Sequence, residues 1–129
     1  MGGMAHLTLS VLPLKLAVCR VRPDTPVPAA GGDFWSLTRT PDEVSLVCEE
    51  YLVPDGMTAE GGWAVFKLHG PFPFDLTGIL TSVLEPLRDA EIGIFALSTF
   101  DTEYVLVNRA HLTEAVNVLR AAGHTVLEA

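Results

Sequence analysis

Residues Asp75–Asn108 read DLTGILTSVLEPLRDAEIGIFALSTFDTEYVLVN, and this stretch decides the fold. Ile79, Leu80, Val83, Leu84 and Leu87 fall on one stripe at helical spacing, so the first half predicts an amphipathic helix. Asp75 is a natural N-cap for a helix starting near Leu76 or Thr77, because its carboxylate can accept one of the unpaired N–H groups of the first turn. Pro86 has no N–H to offer the carbonyl of Ser82 and its ring crowds that oxygen, which predicts a short helix, kinked or ended there. Two β-rich runs follow, Ile92–Thr99 and Glu103–Asn108, around Phe100-Asp101-Thr102, and they predict a tight antiparallel hairpin.

Upstream, Trp63–His69 (WAVFKLH) alternates Ala64, Phe66 and Leu68 against Val65 and Lys67, the pattern of a half-buried strand. Gly70-Pro71-Phe72-Pro73-Phe74 stops it with a rigid loop. Downstream, Asn108 can cap a second helix over Arg109–Ala122 that buries Leu112, Ala115, Val116 and Leu119 and ends at Gly123, and Thr125–Leu127 offers a last strand. The order βαββα with a terminal strand is the ferredoxin-like α+β arrangement, in which two helices cover one face of an antiparallel sheet.

The first half of the chain repeats part of this pattern. Leu37/Leu97, Glu43/Glu103, Leu46/Leu106 and Val47/Val107 are identical pairs sixty residues apart, which predicts the same hairpin in both halves. A helix is missing from the first copy, because Pro23, Pro26, Pro28 and Gly31-Gly32 occupy its place. The expected N-terminal strands are Leu7–Leu12, Lys15–Val21, Asp33–Thr38 and Val44–Cys48, with one helical turn at Glu49–Leu52 and a linker over Pro54–Gly62. This divides the chain into a degenerate, helix-poor unit at residues 5–54 and a complete unit at residues 61–129.

Composition narrows the possible functions. With 129 residues, 49% of them hydrophobic, the chain can bury the core of one domain or two very small ones. The net charge is −8 and the basic residues are scattered, so nothing resembles a phosphate-neutralising patch and no nucleic acid partner is expected. The longest apolar stretches, Leu7–Leu12 and Ile92–Leu97, are strand-sized and far below the roughly 20 residues of a membrane helix, so no membrane partner is expected. The N-terminus lacks the charged-then-apolar order of a secretion signal, Met1-Gly2-Gly3 before Met4 looks like an alternative start, and a soluble cytoplasmic protein is expected. Cys19 and Cys48 lie in apolar strand patterns without C-x-x-C spacing and read as buried reduced thiols. His6, His69, His111 and His124 show no ligand spacing, and no metal or cofactor is expected.

The block D-L-T-G-I-L ending in A-E-I-G-I-F, followed by S-T-F-D-T-E-Y-V-L-V, resembles the ACT domain, a small ligand-binding module of amino-acid enzymes and regulators. Together with F-W-S-L-T-R-T-P-D-E and S-V-L-E-P-L, it resembles the paired-ACT subgroup that includes the CASTOR-type arginine sensors and small bacterial stand-alone proteins. The match covers nearly all of Leu7–His124. This resemblance implies tandem ACT units that pair side by side into an extended sheet, with an amino acid bound at the interface between units. It further implies a ligand site on the loop before the helix, Asp75, Leu76, Thr77, Gly78 and Ile79, and on the hairpin residues Ser98 and Thr99. The family's usual D-x-P-G loop is D-L-T-G in this chain, with Thr77 in the proline position and Gly78 retained for close backbone approach.

Each of these residues also has a plain structural role open to it. Asp75 can simply cap the helix, and Ser98 and Thr99 can simply end a strand. In favour of binding, free N–H groups at a helix start suit an α-carboxylate, and the Asp75 carboxylate or nearby carbonyls suit an α-ammonium. Asp101 and Glu103, like Asp42 and Glu43, are hairpin acids of the solvated kind, and Trp63, Phe66, Phe72 and Phe74 read as core. No nucleophile–base pair or phosphate loop is visible, so no catalytic residue is expected. The sequence therefore predicts a non-enzymatic amino-acid-binding regulatory protein, forming a homodimer and acting on an enzyme or other protein partner. The alternative is a ligand-independent oligomerisation or interaction module built on exposed sheet edges.

Overall fold

The computed structural model describes residues 6–27, 29–72 and 78–128. In chain order its elements are β1 (Thr8–Val11), β2 (Leu16–Val21), β3 (Trp35–Arg39), β4 (Val44–Glu49), β5 (Thr58–Leu68), α1 (Ile79–Asp89), β6 (Ile94–Ser98), β7 (Glu103–Asn108), α2 (Leu112–Ala121) and β8 (Thr125–Leu127). Single 3₁₀ turns at Glu50–Leu52 and Arg109–His111 follow β4 and β7. Two compact units result: Leu14–Trp63 forms one, and the described residues up to Pro13 together with those from Ala64 onward form the other. No helix among the described residues is long and apolar enough to cross a membrane.

The C-terminal unit has strand order β6-β7-β5-β1-β8. Its β5-α1-β6-β7-α2-β8 sequence is the ferredoxin-like pattern, with β1 inserted between β5 and β8. The expected boundary at residues 5–54 had placed this first strand with the N-terminal half. Its hydrogen bonds decide otherwise, because Leu9 pairs antiparallel with Leu68 of β5 and parallel with Val126 of β8. Leu9, Phe66, Leu68, Val83, Leu87, Val105, Val107, Leu119 and Val126 meet in one core between sheet and helices. The helical stripes read from the sequence are those that face it, with Val83 and Leu87 from α1 and Ala115, Val116 and Leu119 from α2 buried.

Both helices end in the same left-handed cap. After α2, Gly123 and His124 donate to the carbonyls of Arg120 and Leu119; after α1, Glu91 and Ile92 donate to those of Arg88 and Leu87. Gly123 takes the required positive φ of 99°, whereas α1 forces Glu91 to φ 59°. Asn108 caps as expected, its side chain accepting from Ala110, but the turn it opens is the 3₁₀ turn, and α2 begins only at Leu112. The start of α1 differs too. Gly78, at φ 83°, lies outside helical space and occupies the N-cap position, so the helix begins at Ile79 and not near Leu76 or Thr77.

The N-terminal unit contains no α-helix among its described residues, as its prolines predict. β2 pairs with β4, β4 with β3, and β2 also with the first part of β5. The expected linker is therefore strand from Thr58 onward. Gly61-Gly62, which punctuate the sequence like a linker, instead form a bulge, because the register steps from Leu16↔Trp63 to Val18↔Glu60 and Gly62 has φ 81°. The Glu50 carboxylate accepts the Gly62 N–H and fixes that bulge.

The two halves do repeat, but fifty-nine residues apart rather than sixty. Arg39↔Val44 closes the first hairpin and Ser98↔Glu103 the second, so Thr40 matches Thr99 and Asp42 matches Asp101. In each turn the threonine N–H donates to the carbonyl of the fourth residue, at 2.9 Å for Thr40–Glu43 and 2.8 Å for Thr99–Thr102. A sixty-residue offset would pair residues from opposite faces of the hairpins, since a one-residue slip inverts every side chain.

Cys19 and Cys48 are buried and reduced, beside Ala17 and Leu46. Burial first, and then the neighbouring Cys19 thiol, pushes the Cys48 thiol from 9.0 up to about 11. A group whose native pKa is raised contributes stability below its unfolded value and loses it as the pH rises through the native one. Denaturation midpoints are thus expected to fall between about pH 9 and 11, and Cys48→Ala is expected to reduce that fall.

Candidate functional site

The end of β5 and the tip of the β6–β7 hairpin enclose a cleft of about 340 Å³, lined among others by Lys67, Gly70, Pro71, Thr99, Asp101 and Thr102. Lys67 is there because β5 alternates: its neighbours Phe66 and Leu68 are wholly buried, which sends the lysine to the opposite face. Two contacts hold the loop after β5 against the hairpin tip. Phe72 N–H donates to the Asp101 carbonyl at 2.8 Å, and the Thr102 hydroxyl donates to the Leu68 carbonyl. Gly70 permits this approach, since a Cβ on it would lie 2.7 Å from the Asp101 carbonyl oxygen.

Thr99 sits at the first position of the hairpin turn and lines the cleft, while its hydroxyl accepts from Thr102 N–H at 3.2 Å. Ser98 donates to the Glu103 carboxylate at 2.6 Å across the end of the hairpin. Gly78 and Ile79 open α1, whose N-cap position bears no side-chain hydrogen bond. Asp75, Leu76 and Thr77 lie outside the described residues, as does Phe74 of the aromatic group. Of the other aromatics, Phe66 is core and Phe72 packs against that core, whereas Trp63 belongs to the N-terminal unit and its buried indole N–H has no partner among the described residues.

Six of the seven residues that line the cleft escaped the sequence reading: Lys67, Gly70, Pro71, Asp101, Thr102 and Tyr104 had been read as strand, loop or turn. A signal existed in the lysine, a cation on the polar face of a strand one residue before its loop. With Asp101 it gives the cleft one cation and one anion. Among the described residues no group of His, Cys, Asp and Glu is placed to hold a metal ion.

Thr102 is buried to 7% exposure, so Thr102→Val leaves the Leu68 carbonyl without its donor inside the protein. The expected cost is about 1–3 kcal/mol, read as a lower urea midpoint.

A family model described as ACT domain matches residues 58–121, and a second model, of an N-terminal domain, matches residues 15–56. A crystallised protein of Agobacterium tumefaciens is 39% identical and superposes with a TM-score of 0.90, covering 97% of this chain and 95% of its own. The cytosolic arginine sensor for mTORC1, subunit 1, of Bos taurus is 30% identical over 97 residues, which are 67% of this chain. The chain spans only 30% of that relative's length. The regulatory subunit of aspartate kinase from Thermus thermophilus shares the fold, with a TM-score of 0.60 at 13% identity, covering 88% of this chain and 93% of its own. With its βαββα unit in the matched segment, the chain belongs to the ACT domain superfamily, in the paired-ACT branch that resembles the CASTOR-type arginine sensors.

Proposed function

We propose that this is a non-enzymatic regulatory protein of the cytoplasm that binds a free amino acid. The observation that carries the reading is the C-terminal cleft, where Lys67 and Asp101 supply one cation and one anion around Thr99 and Thr102. A zwitterion meets both charges there, its carboxylate on Lys67 and its ammonium on Asp101. The uncapped start of α1 at Gly78 and Ile79 offers backbone N–H groups for the carboxylate, and the sequence segment Asp75, Leu76, Thr77, Gly78 and Ile79 is the proposed contact segment. Ser98 and Thr99 complete the hairpin side. An ACT unit of a second copy closes the site, so the ligand favours one assembly of a homodimer over another and thereby alters binding to a regulated partner. Such a shift requires only that the two arrangements bind the ligand unequally. The arginine sensing named for the bovine relative supports an amino acid as the ligand class.

Isothermal titration of the intact chain against the twenty amino acids tests this. The expected result is heat with one or a few of them, weakened about tenfold or more by Lys67→Met. No heat with any amino acid at millimolar concentration overturns it. A second reading, the ligand-independent interaction module, is favoured by β3 and β6, which among the described residues pair on one side only and expose Leu37 and Ile94. Light scattering that gives the same oligomer with and without amino acids selects that reading.

A further inference from the structure

The hairpin of the N-terminal unit has a cleft in the same relative place. It measures about 490 Å³ and is lined among others by Arg20, Arg22, Pro23, Thr25, Asp42 and Glu43. Each cleft takes a basic residue from the penultimate position of its unit's leading strand, Arg20 in β2 and Lys67 in β5. A proline follows shortly after in each, Pro23 and Pro71, and an aspartate stands third in each hairpin turn, Asp42 and Asp101. The charges differ. The C-terminal cleft offers one cation and one anion, whereas the N-terminal one adds Arg22 and Glu43 and is larger.

Those arginines are available. Arg20 makes no ion pair among the described residues, and Arg22 meets Asp24 only loosely, at 3.9 Å between side chains that are 86% and 78% exposed. Arg39 is not, since its guanidinium donates to the Pro23 carbonyl at 2.7 Å and holds the cleft wall. Two exposed guanidinium groups, each able to grip a carboxylate through two parallel N–H bonds, fit a ligand with two carboxylates. The acids at the hairpin tip fit an ammonium.

We propose that the N-terminal unit carries a second ligand site, for an amino acid with an acidic side chain. Arg20 and Arg22 take the two carboxylates and Asp42 with Glu43 takes the α-ammonium. This site is separate from the C-terminal one proposed above and stands without it.

Titrating the intact chain with L-glutamate and L-aspartate tests the site, with L-alanine and succinate as probes lacking one carboxylate or the ammonium. The expected result is binding of at least one acidic amino acid that falls about tenfold or more in the Arg20→Met/Arg22→Met double variant, and about as much for alanine and for succinate. Lys67→Met is expected to leave it within about twofold, because its effect belongs to the other unit. Asp42→Asn/Glu43→Gln gives a second readout, a loss of glutamate affinity with succinate unchanged. Absence of binding by both acidic amino acids overturns the proposal, as does binding indifferent to the arginines. Loss of glutamate binding in Lys67→Met alone also overturns it and assigns that ligand to the C-terminal cleft.

Discussion

Phe66→Ala is expected to cost about 3–5 kcal/mol, the largest loss from any single truncation among the described residues. Phe66 is the largest of the wholly buried side chains among the described residues. It reaches the core from β5, where it pairs with Val11, and the cluster it joins includes Val83 and Leu87 from α1 and Leu119 from α2. Removing the ring therefore opens a cavity between sheet and helices that close packing prevents from collapsing fully. Since whole domains are stable by only about 5–15 kcal/mol, the variant should lose a third or more of its margin. Urea denaturation followed by circular dichroism gives the number.

The core of the C-terminal unit was legible because periodicity alone specifies it. Ile79, Val83 and Leu87 at helical spacing, and Ala64, Phe66 and Leu68 in alternation, leave one face each to bury, and those faces do meet. What the sequence hid were the backbone conformations that glycine permits. Gly61-Gly62 looks like a linker in any reading of composition, yet a carboxylate twelve residues earlier turns it into a bulge inside β5. Gly78 looks like the third residue of a helix that Asp75 caps, yet its positive φ moves the start of α1 to Ile79. The repeat was visible but misaligned by one residue, because the four chance identities at Leu37/Leu97, Glu43/Glu103, Leu46/Leu106 and Val47/Val107 outnumbered the two that the turns preserve, Thr40/Thr99 and Asp42/Asp101.

The candidate site was legible only in part for a related reason. Thr99 was accessible from its place in a hairpin, whereas Lys67 and Asp101 lie thirty-four residues apart and come together through the fit of Gly70 against the Asp101 carbonyl. No local pattern encodes that juxtaposition. It becomes readable once the correct repeat is in hand, because the same basic, proline and aspartate positions recur in the N-terminal unit.

His124→Ala is expected to cost about 2–4 kcal/mol, because two buried backbone groups depend on one imidazole. Pro86 lies inside α1 and has no N–H, so the carbonyl of Ser82, one turn earlier, lacks its helical donor. Ser82 is fully buried and no water can stand in cheaply. His124, at 4% exposure, supplies the missing donor: its Nε2 lies 2.8 Å from the Ser82 carbonyl, and its Nδ1 accepts the Leu7 N–H at 3.1 Å. The pair of bonds fixes the tautomer, with the proton on Nε2, and ties β1, α1 and the start of β8 together. This also explains why a proline that should break α1 is tolerated three residues before its end. The account predicts coupling: in a Pro86→Ala background the new N–H can reach Ser82, so His124→Ala should cost about 1 kcal/mol less than it does in the native chain. A double-mutant cycle by urea denaturation measures the difference, and strictly additive costs would show that the histidine does not serve the carbonyl that the proline leaves bare.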